Sequence, residues 1–309
     1  MNRIDLLSDG FNIKYNFNIF DWSKEPTESW KELKKQRAQH IRDNYDYVVL
    51  YFSGGSDSTT VLNSFYDNNI YIDEIVTTVY DKFDSLCLSG KKAFSDVYKN
   101  NLFGKYTVVN LTFDKIKNFL KNDLYLEESP DFTGGLHSIA RFNLDYLEKF
   151  DFINPSKRSG NVCHLYGTDN PIIYKDNETF YARESINFLA SYYKKNTSFF
   201  SSPEFPKIHI KQCYIMAKAI KKFNDVNYRD IIRDENKPLI SGKKPSGNPK
   251  FILKSKGIYS EPTILISQYK KEDGFIDLYT KSTIINQLKI QEKIDLLKNK
   301  FTKDYKLNI

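Results

Sequence analysis

The chain has 309 residues, is 40% hydrophobic and 15% aromatic, and carries a formal net charge of +7. That composition excludes a disordered polar chain and supplies material for one large core with an appended lobe. The absence of any apolar run of about 18 residues, an opening MNRIDLLSDG without a signal-peptide core, and three scattered cysteines (Cys87, Cys163, Cys213) without a CxxC pair point to a cytoplasmic protein with no disulfide or structural zinc framework.

The first predicted element is a half-exposed edge strand. Phe11, Ile13, Tyr15, Phe17 and Ile19 alternate with polar Asn12, Lys14, Asn16 and Asn18. A helix capped by Thr27 follows, with Trp30, Leu33, Arg37 and Ile41 on its packing stripe. Tyr47 to Phe52 are then apolar or aromatic without interruption, the pattern of a parallel strand buried on both faces. Ser53-Gly54-Gly55-Ser56-Asp57-Ser58 ends that strand. Val61, Leu62 and Phe65 take up helical spacing behind it, so the unit reads strand, tight loop, helix. In such a unit the loop N–H groups and the helix dipole converge on a volume suited to an anion.

Residues 71–79 read as the second parallel strand, 89–101 as a helix opened by Ser89-Gly90-Lys91-Lys92, and 106–112 as the third strand. Helices are expected near 114–121 and 136–149, the latter with Ile139, Phe142 and Tyr146 on its apolar stripe and Arg141 on another face. Residues 161–166 read as a fourth parallel strand ending in Gly167-Thr168-Asp169-Asn170. On that strand Cys163 and His164 must point to opposite faces. A hairpin is expected over 172–181, an amphipathic helix over 207–223, a short helix over 228–233 and a terminal helix over 282–300. Ser241 to Pro249 begins like a Walker A loop, but Asn248 and Pro249 stand where that motif needs Lys and Ser or Thr. It reads instead as a basic linker or lid in which Lys243 or Lys244 meets a leaving phosphate. The fold class is therefore α/β, a doubly wound and mostly parallel sheet with a mainly helical C-terminal lobe. It divides into a strand and helix packing on the core (1–45), a nucleotide-binding domain (46–182) and an accessory region (183–309).

The loop resembles the SGGxDS signature of the PP-loop ATP pyrophosphatases, a group that includes asparagine synthetase, GMP synthetase, NAD synthetase and tRNA lysidine synthetase. The matching residues are Ser53, Gly54, Gly55, Asp57 and Ser58. The order of elements and the Lys- and Asn-rich composition are similar to asparagine-synthetase-like proteins of bacteriophages, also described as adenine nucleotide alpha hydrolases. The resemblance implies that residues 53–58 grip the pyrophosphate of ATP with Mg²⁺ held by Asp57, and that the main chain of Thr78, Val79 and Tyr80 lines the adenine pocket. Gly167 and Asp169 match in character the GEGSDE loop of asparagine-synthetase-like members, which implies Asp169 as a second Mg²⁺ or substrate contact. Arg141 is the expected clamp on phosphate or carboxylate, and Lys243 or Lys244 the expected contact to the leaving pyrophosphate. Asn2 stands where the glutamine-dependent members carry a nucleophilic cysteine, and no cysteine occurs in residues 280–309, as sulfur-transferring members would need. The implied activity is an ATP-dependent, AMP-forming ligation in which a carboxylate, amide or base carbonyl is adenylylated and attacked by nitrogen. Two other readings stay open: a nucleotide-binding sensor without turnover, and a tRNA- or DNA-modifying enzyme, with which the positive charge is compatible.

Overall fold

A computed structural model describes residues 20–53, 56–80, 102–122, 143–167, 172–176, 178–183, 196–202, 204–223 and 304–309. Helix α1 (Trp30–Asn44) starts at Ser29, whose hydroxyl accepts the Glu32 N–H, and not at the expected Thr27. Ser29 and Glu32 stand at capping-box spacing, and the chain is extended at Ser29, so its side chain rather than that of Thr27 reaches the first free N–H groups. Trp30, Leu33, Arg37, Ala38 and Ile41 form its buried stripe.

Strand β1 (Tyr47–Tyr51) is followed by α2 (Ser56–Tyr66), β2 (Ile72–Tyr80), β3 (Phe103–Leu111) and α3 (Phe113–Lys121). A short helix, α4 (Leu144–Lys149), then leads to β4 (Val162–Tyr166). The predicted continuous helix over 136–149 is corrected here. Asn143 is an N-cap with extended backbone, φ −75° and ψ 174°, and its side chain accepts the Tyr146 N–H, so the helix that carries Tyr146 begins at Leu144.

The main sheet has the order β3-β2-β1-β4-β7, where β7 is Asn196–Ser198, and every pairing in it is parallel. Helices cover both faces, which makes the fold a doubly wound α/β sheet. On one face Val48 and Leu50 of β1 and Cys163 and Leu165 of β4 pack with Trp30, Leu33 and Ile41 of α1 and with Val61, Leu62 and Phe65 of α2. On the other face Val49, Val76 and Val109 pack with Ile116 and Phe119 of α3 and Leu144 and Leu147 of α4. Cys163 and His164 lie on opposite faces, as strand alternation requires, and burial pushes the Cys163 thiol up to about 12.

The expected hairpin forms as β5 (Ile172–Asp176) and β6 (Thr179–Arg183), and β8 (Asp304–Leu307) completes a small antiparallel sheet. Helix α5 (Pro206–Phe223) packs against it through Ile210, Cys213, Tyr214 and Ala217, together with Trp22, whose ring stacks on Tyr305. Neither β7 nor β8 was anticipated. The predicted elements over 11–19, 89–101, 228–233 and 282–300 lie outside the described residues, as do Lys91 and Lys92. Among the described residues no helix is long and apolar enough to cross a membrane.

Candidate functional site

The sheet reverses its order at β1. The chain adds β2 and β3 on one side and returns to add β4 and β7 on the other. In open α/β sheets the crevice beyond the carboxyl ends of the strands at such a reversal is where ligands bind. The turn 53–58 leaves β1 at that point and enters α2.

The turn is anchored on both flanks. Phe52 donates its N–H to Val76 O at 2.7 Å, and the Thr77 hydroxyl donates to Phe52 O at 2.8 Å and accepts from the Tyr106 hydroxyl at 3.1 Å. These bonds fix the last residue before Ser53. On the β4 side, Gly167 lies against the first turn of α2. A Cβ there would come within 2.9 Å of the Asp57 carbonyl carbon and oxygen and 3.0 Å of Ser58 N. Glycine is the one residue that permits this approach without displacing backbone.

Ser53 is exposed at the start of the turn, and its hydroxyl stands 3.2 Å from that of Ser58, which is buried in the first turn of α2. Ser56 is the first residue of α2, and Asp57, half-buried, is the acid of its first turn. The register of β2 with β1 runs to Tyr51↔Val76, whereas its register with β3 continues to Tyr80↔Leu111. Thr78, Val79 and Tyr80 therefore extend past the end of β1. Strand backbone in that position offers N–H and C=O groups to a planar ligand.

The structure places Ser53 beside Ser58, puts Ser56 and Asp57 in the same first turn of α2, and sets Thr78, Val79 and Tyr80 on the stretch of β2 beyond the end of β1. Gly54, Gly55, Arg141, Asp169 and Lys243 lie outside the described residues. Among the described residues no group of three or more His, Cys, Asp or Glu side chains stands together as a metal cluster.

Three features had no weight in the sequence reading. The first is Gly167 as a packing point against α2. The second is a polar line behind the site, in which Tyr51 Oη lies 2.9 Å from His164 Nδ1, and His164 Nε2 lies 3.5 Å from Asp145 Oδ2. The third is a buried ion cluster lower on the same face. Glu74 accepts from the Thr107 hydroxyl at 2.5 Å and pairs with Arg158 at 3.3 Å, and Arg158 pairs in turn with Glu148 at 2.9 Å. Burial works to raise the Glu74 carboxyl, but the Thr107 hydroxyl, Arg158 and Lys105 together outweigh it and hold it below its ordinary value. An alternation break at Glu74 inside an apolar strand was the available signal for that cluster.

Hydroxyls, a carboxylate and a helix start at the open end of a parallel sheet can hold a polyanion with its counter-cation. No protein-family model matches the chain, and no curated protein matches its sequence.

Proposed function

We propose that the chain is an ATP-dependent, AMP-forming enzyme of the PP-loop type, with the turn 53–58 seating the pyrophosphate end of ATP. The observation that carries this reading is the position of the turn. A segment matching SGGxDS begins at an exposed Ser53 after β1, where the strand order reverses, and carries Asp57 and Ser58 in the first turn of α2.

The donor set suits the ligand. Ser53 offers its hydroxyl to phosphate oxygen, Ser58 from below orients that hydroxyl, and the start of α2 opposes the negative charge. The hard oxygens of Asp57 fit Mg²⁺, which when bound neutralises charge on the phosphates. The edge of Thr78 to Tyr80 would take the adenine through main-chain groups. An acceptor oxygen then attacks the α-phosphorus, the bond to the bridging oxygen breaks, and pyrophosphate leaves with both electrons of that bond. A nitrogen nucleophile displaces AMP from the activated acceptor in a second step. The protein's part is orientation and charge neutralisation, because ATP already carries a good leaving group. Arg141, Asp169 and Lys243 are proposed to assist at the α-phosphate and the departing pyrophosphate.

The test is pyrophosphate release from Mg-ATP over a panel of carboxylates, amides and nucleic-acid bases, beside calorimetric titration with ATP. Asp57→Ala is expected to lose release while keeping wild-type circular dichroism. Full turnover in that variant would refute the assignment. ATP binding by the wild type without release across the panel would leave a nucleotide sensor instead, and steeply salt-dependent binding of tRNA or DNA would identify the acceptor as a base.

A further inference from the structure

His164 stands in the middle of β4, paired with Val49 on one side and Asn196 on the other, with none of its surface exposed. Neighbouring interior positions of the sheet carry Val, Leu and Cys. An imidazole at this place is tolerated only if its nitrogens find polar partners.

The Tyr51 hydroxyl is the hydrogen-bond partner of its Nδ1. The Leu144 N–H donates to Tyr51 Oη at 2.6 Å, and that donor has only one direction. A phenol carries one proton, and with the Leu144 N–H already on its oxygen the Tyr51 hydroxyl has that proton to donate across the 2.9 Å to His164 Nδ1. Nδ1 is then the acceptor, whereas Nε2, 3.5 Å from the Asp145 carboxylate, makes no hydrogen bond among the described residues. The hydrogen bonds run from Leu144 through Tyr51 to His164, and Asp145 stands beyond as an ionic neighbour. The line starts and ends on α4, passing through β1 and β4, and Asp145, half exposed, is its solvent end.

The line also reaches the turn from both sides. Tyr51 is two residues before Ser53, and its ring lies flat on that of Tyr166 with centroids 4.3 Å apart. Tyr166 immediately precedes Gly167, the residue that abuts the backbone of Asp57. One buried array therefore sets the carboxyl ends of β1 and β4 relative to each other, and those two ends flank the turn 53–58. An apolar residue at 164 would fill the space but could not orient the Tyr51 hydroxyl.

We infer that His164 is a positioning residue for nucleotide binding, holding Tyr51 through its Nδ1 so that the carboxyl ends of β1 and β4 keep the spacing a triphosphate needs. This rests on the ATP-dependent reading above.

The test uses the full chain and three variants, His164→Leu, His164→Gln and Tyr51→Phe, with Mg-ATP as the probe. Nitrogen-15 spectra of the histidines should show His164 as the Nε2–H tautomer in the wild type, with that preference lost in Tyr51→Phe. His164→Leu should raise KM for ATP about tenfold, the size expected for loss of a hydrogen bond, while kcat changes less. His164→Gln, whose amide oxygen can accept from Tyr51, should recover most of the loss. A wild-type Nδ1–H tautomer overturns the inference. So do equal KM increases in the Leu and Gln variants accompanied by equal falls in Tm, since that pattern belongs to packing alone. If His164→Leu does not fold, Tyr51→Phe and His164→Gln carry the comparison, and wild-type KM in both overturns it. Absence of ATP binding by the wild type removes the ATP-dependent reading and this inference together, whereas a binding-competent wild type with unaffected variants removes only the inference.

Discussion

Two serine-rich turns leave the carboxyl ends of parallel strands in this sheet and lead to helices, one after β1 and one after β7. In the second, Ser198, Ser201 and Ser202 are all buried, and the Ser198 hydroxyl accepts both the N–H and the hydroxyl of Ser201, at 3.2 and 2.8 Å. The guanidinium of Arg37, fully buried, donates to Phe199 O at 3.2 Å and Ser198 O at 3.0 Å. That turn is knitted into the core. In the first, Ser53 is exposed, and the polar edge of β2 runs on past it. Hydroxyls after a strand are therefore no signature of anion binding by themselves. What separates the two turns is exposure, since Ser53 stands at the surface whereas Ser198, Ser201 and Ser202 are buried.

The largest expected effect comes from emptying the second turn of its cation. Arg37→Met leaves two buried carbonyls without their donor and should cost about 3 kcal/mol or more in urea unfolding, with ATP affinity unchanged in whatever fraction stays folded. Wild-type stability in that variant would dissolve the contrast between the turns.

A second effect is confined to the helix that the buried turn feeds. Burial pulls His209, in the first turn of α5, down from 6.5 to about 3. The unfolded chain takes up this proton near pH 6.5 and the folded chain does not until about pH 3. Its contribution is therefore intact above 6.5 and is lost as pH falls through that window. His209→Gln should lose less stability than the wild type between pH 7 and about pH 4, and parallel urea midpoints for the two proteins across that range would contradict this.

The smallest stability effect is expected in the open turn. Ser53→Ala should change unfolding free energy by no more than about 0.5 kcal/mol yet weaken ATP binding about tenfold. A large loss of stability with unchanged binding would show that Ser53 belongs to the scaffold, as Ser198 does.

The parts of the fold that were legible in the sequence are those whose physics is local. Tyr47 to Phe52 announce a buried parallel strand by hydrophobicity alone, and the glycine-serine turn announces the helix after it. Helix α5 and the β5–β6 hairpin follow from periodicity in the same way. The strand β7 was not legible, because Asn-Thr-Ser carries no apolar signal. It is a strand through long-range bonds, among them the Asn143 amide donating to Asn196 at 2.8 Å and Arg37 holding the Ser198 carbonyl. The start of α1 was misplaced at Thr27, although Ser29 and Glu32 stood at capping-box spacing. At the site, the serines and Asp57 were readable as a motif. The contact of Gly167 with α2 and the line from Tyr51 to Asp145 were not, since they join residues on strands and helices far apart in the chain.

The small antiparallel sheet imposes an order on assembly. All five parallel strands have been synthesised once residue 198 is made, whereas β6 must wait until residues 304–307 are synthesised before β8 can pair with it and Tyr305 can stack on Trp22. Closing so long a loop is entropically slow. During translation, the apolar faces of Phe180 and Ala182, which Leu307 later helps to cover, are the surface most exposed to chaperones and to wrong pairings.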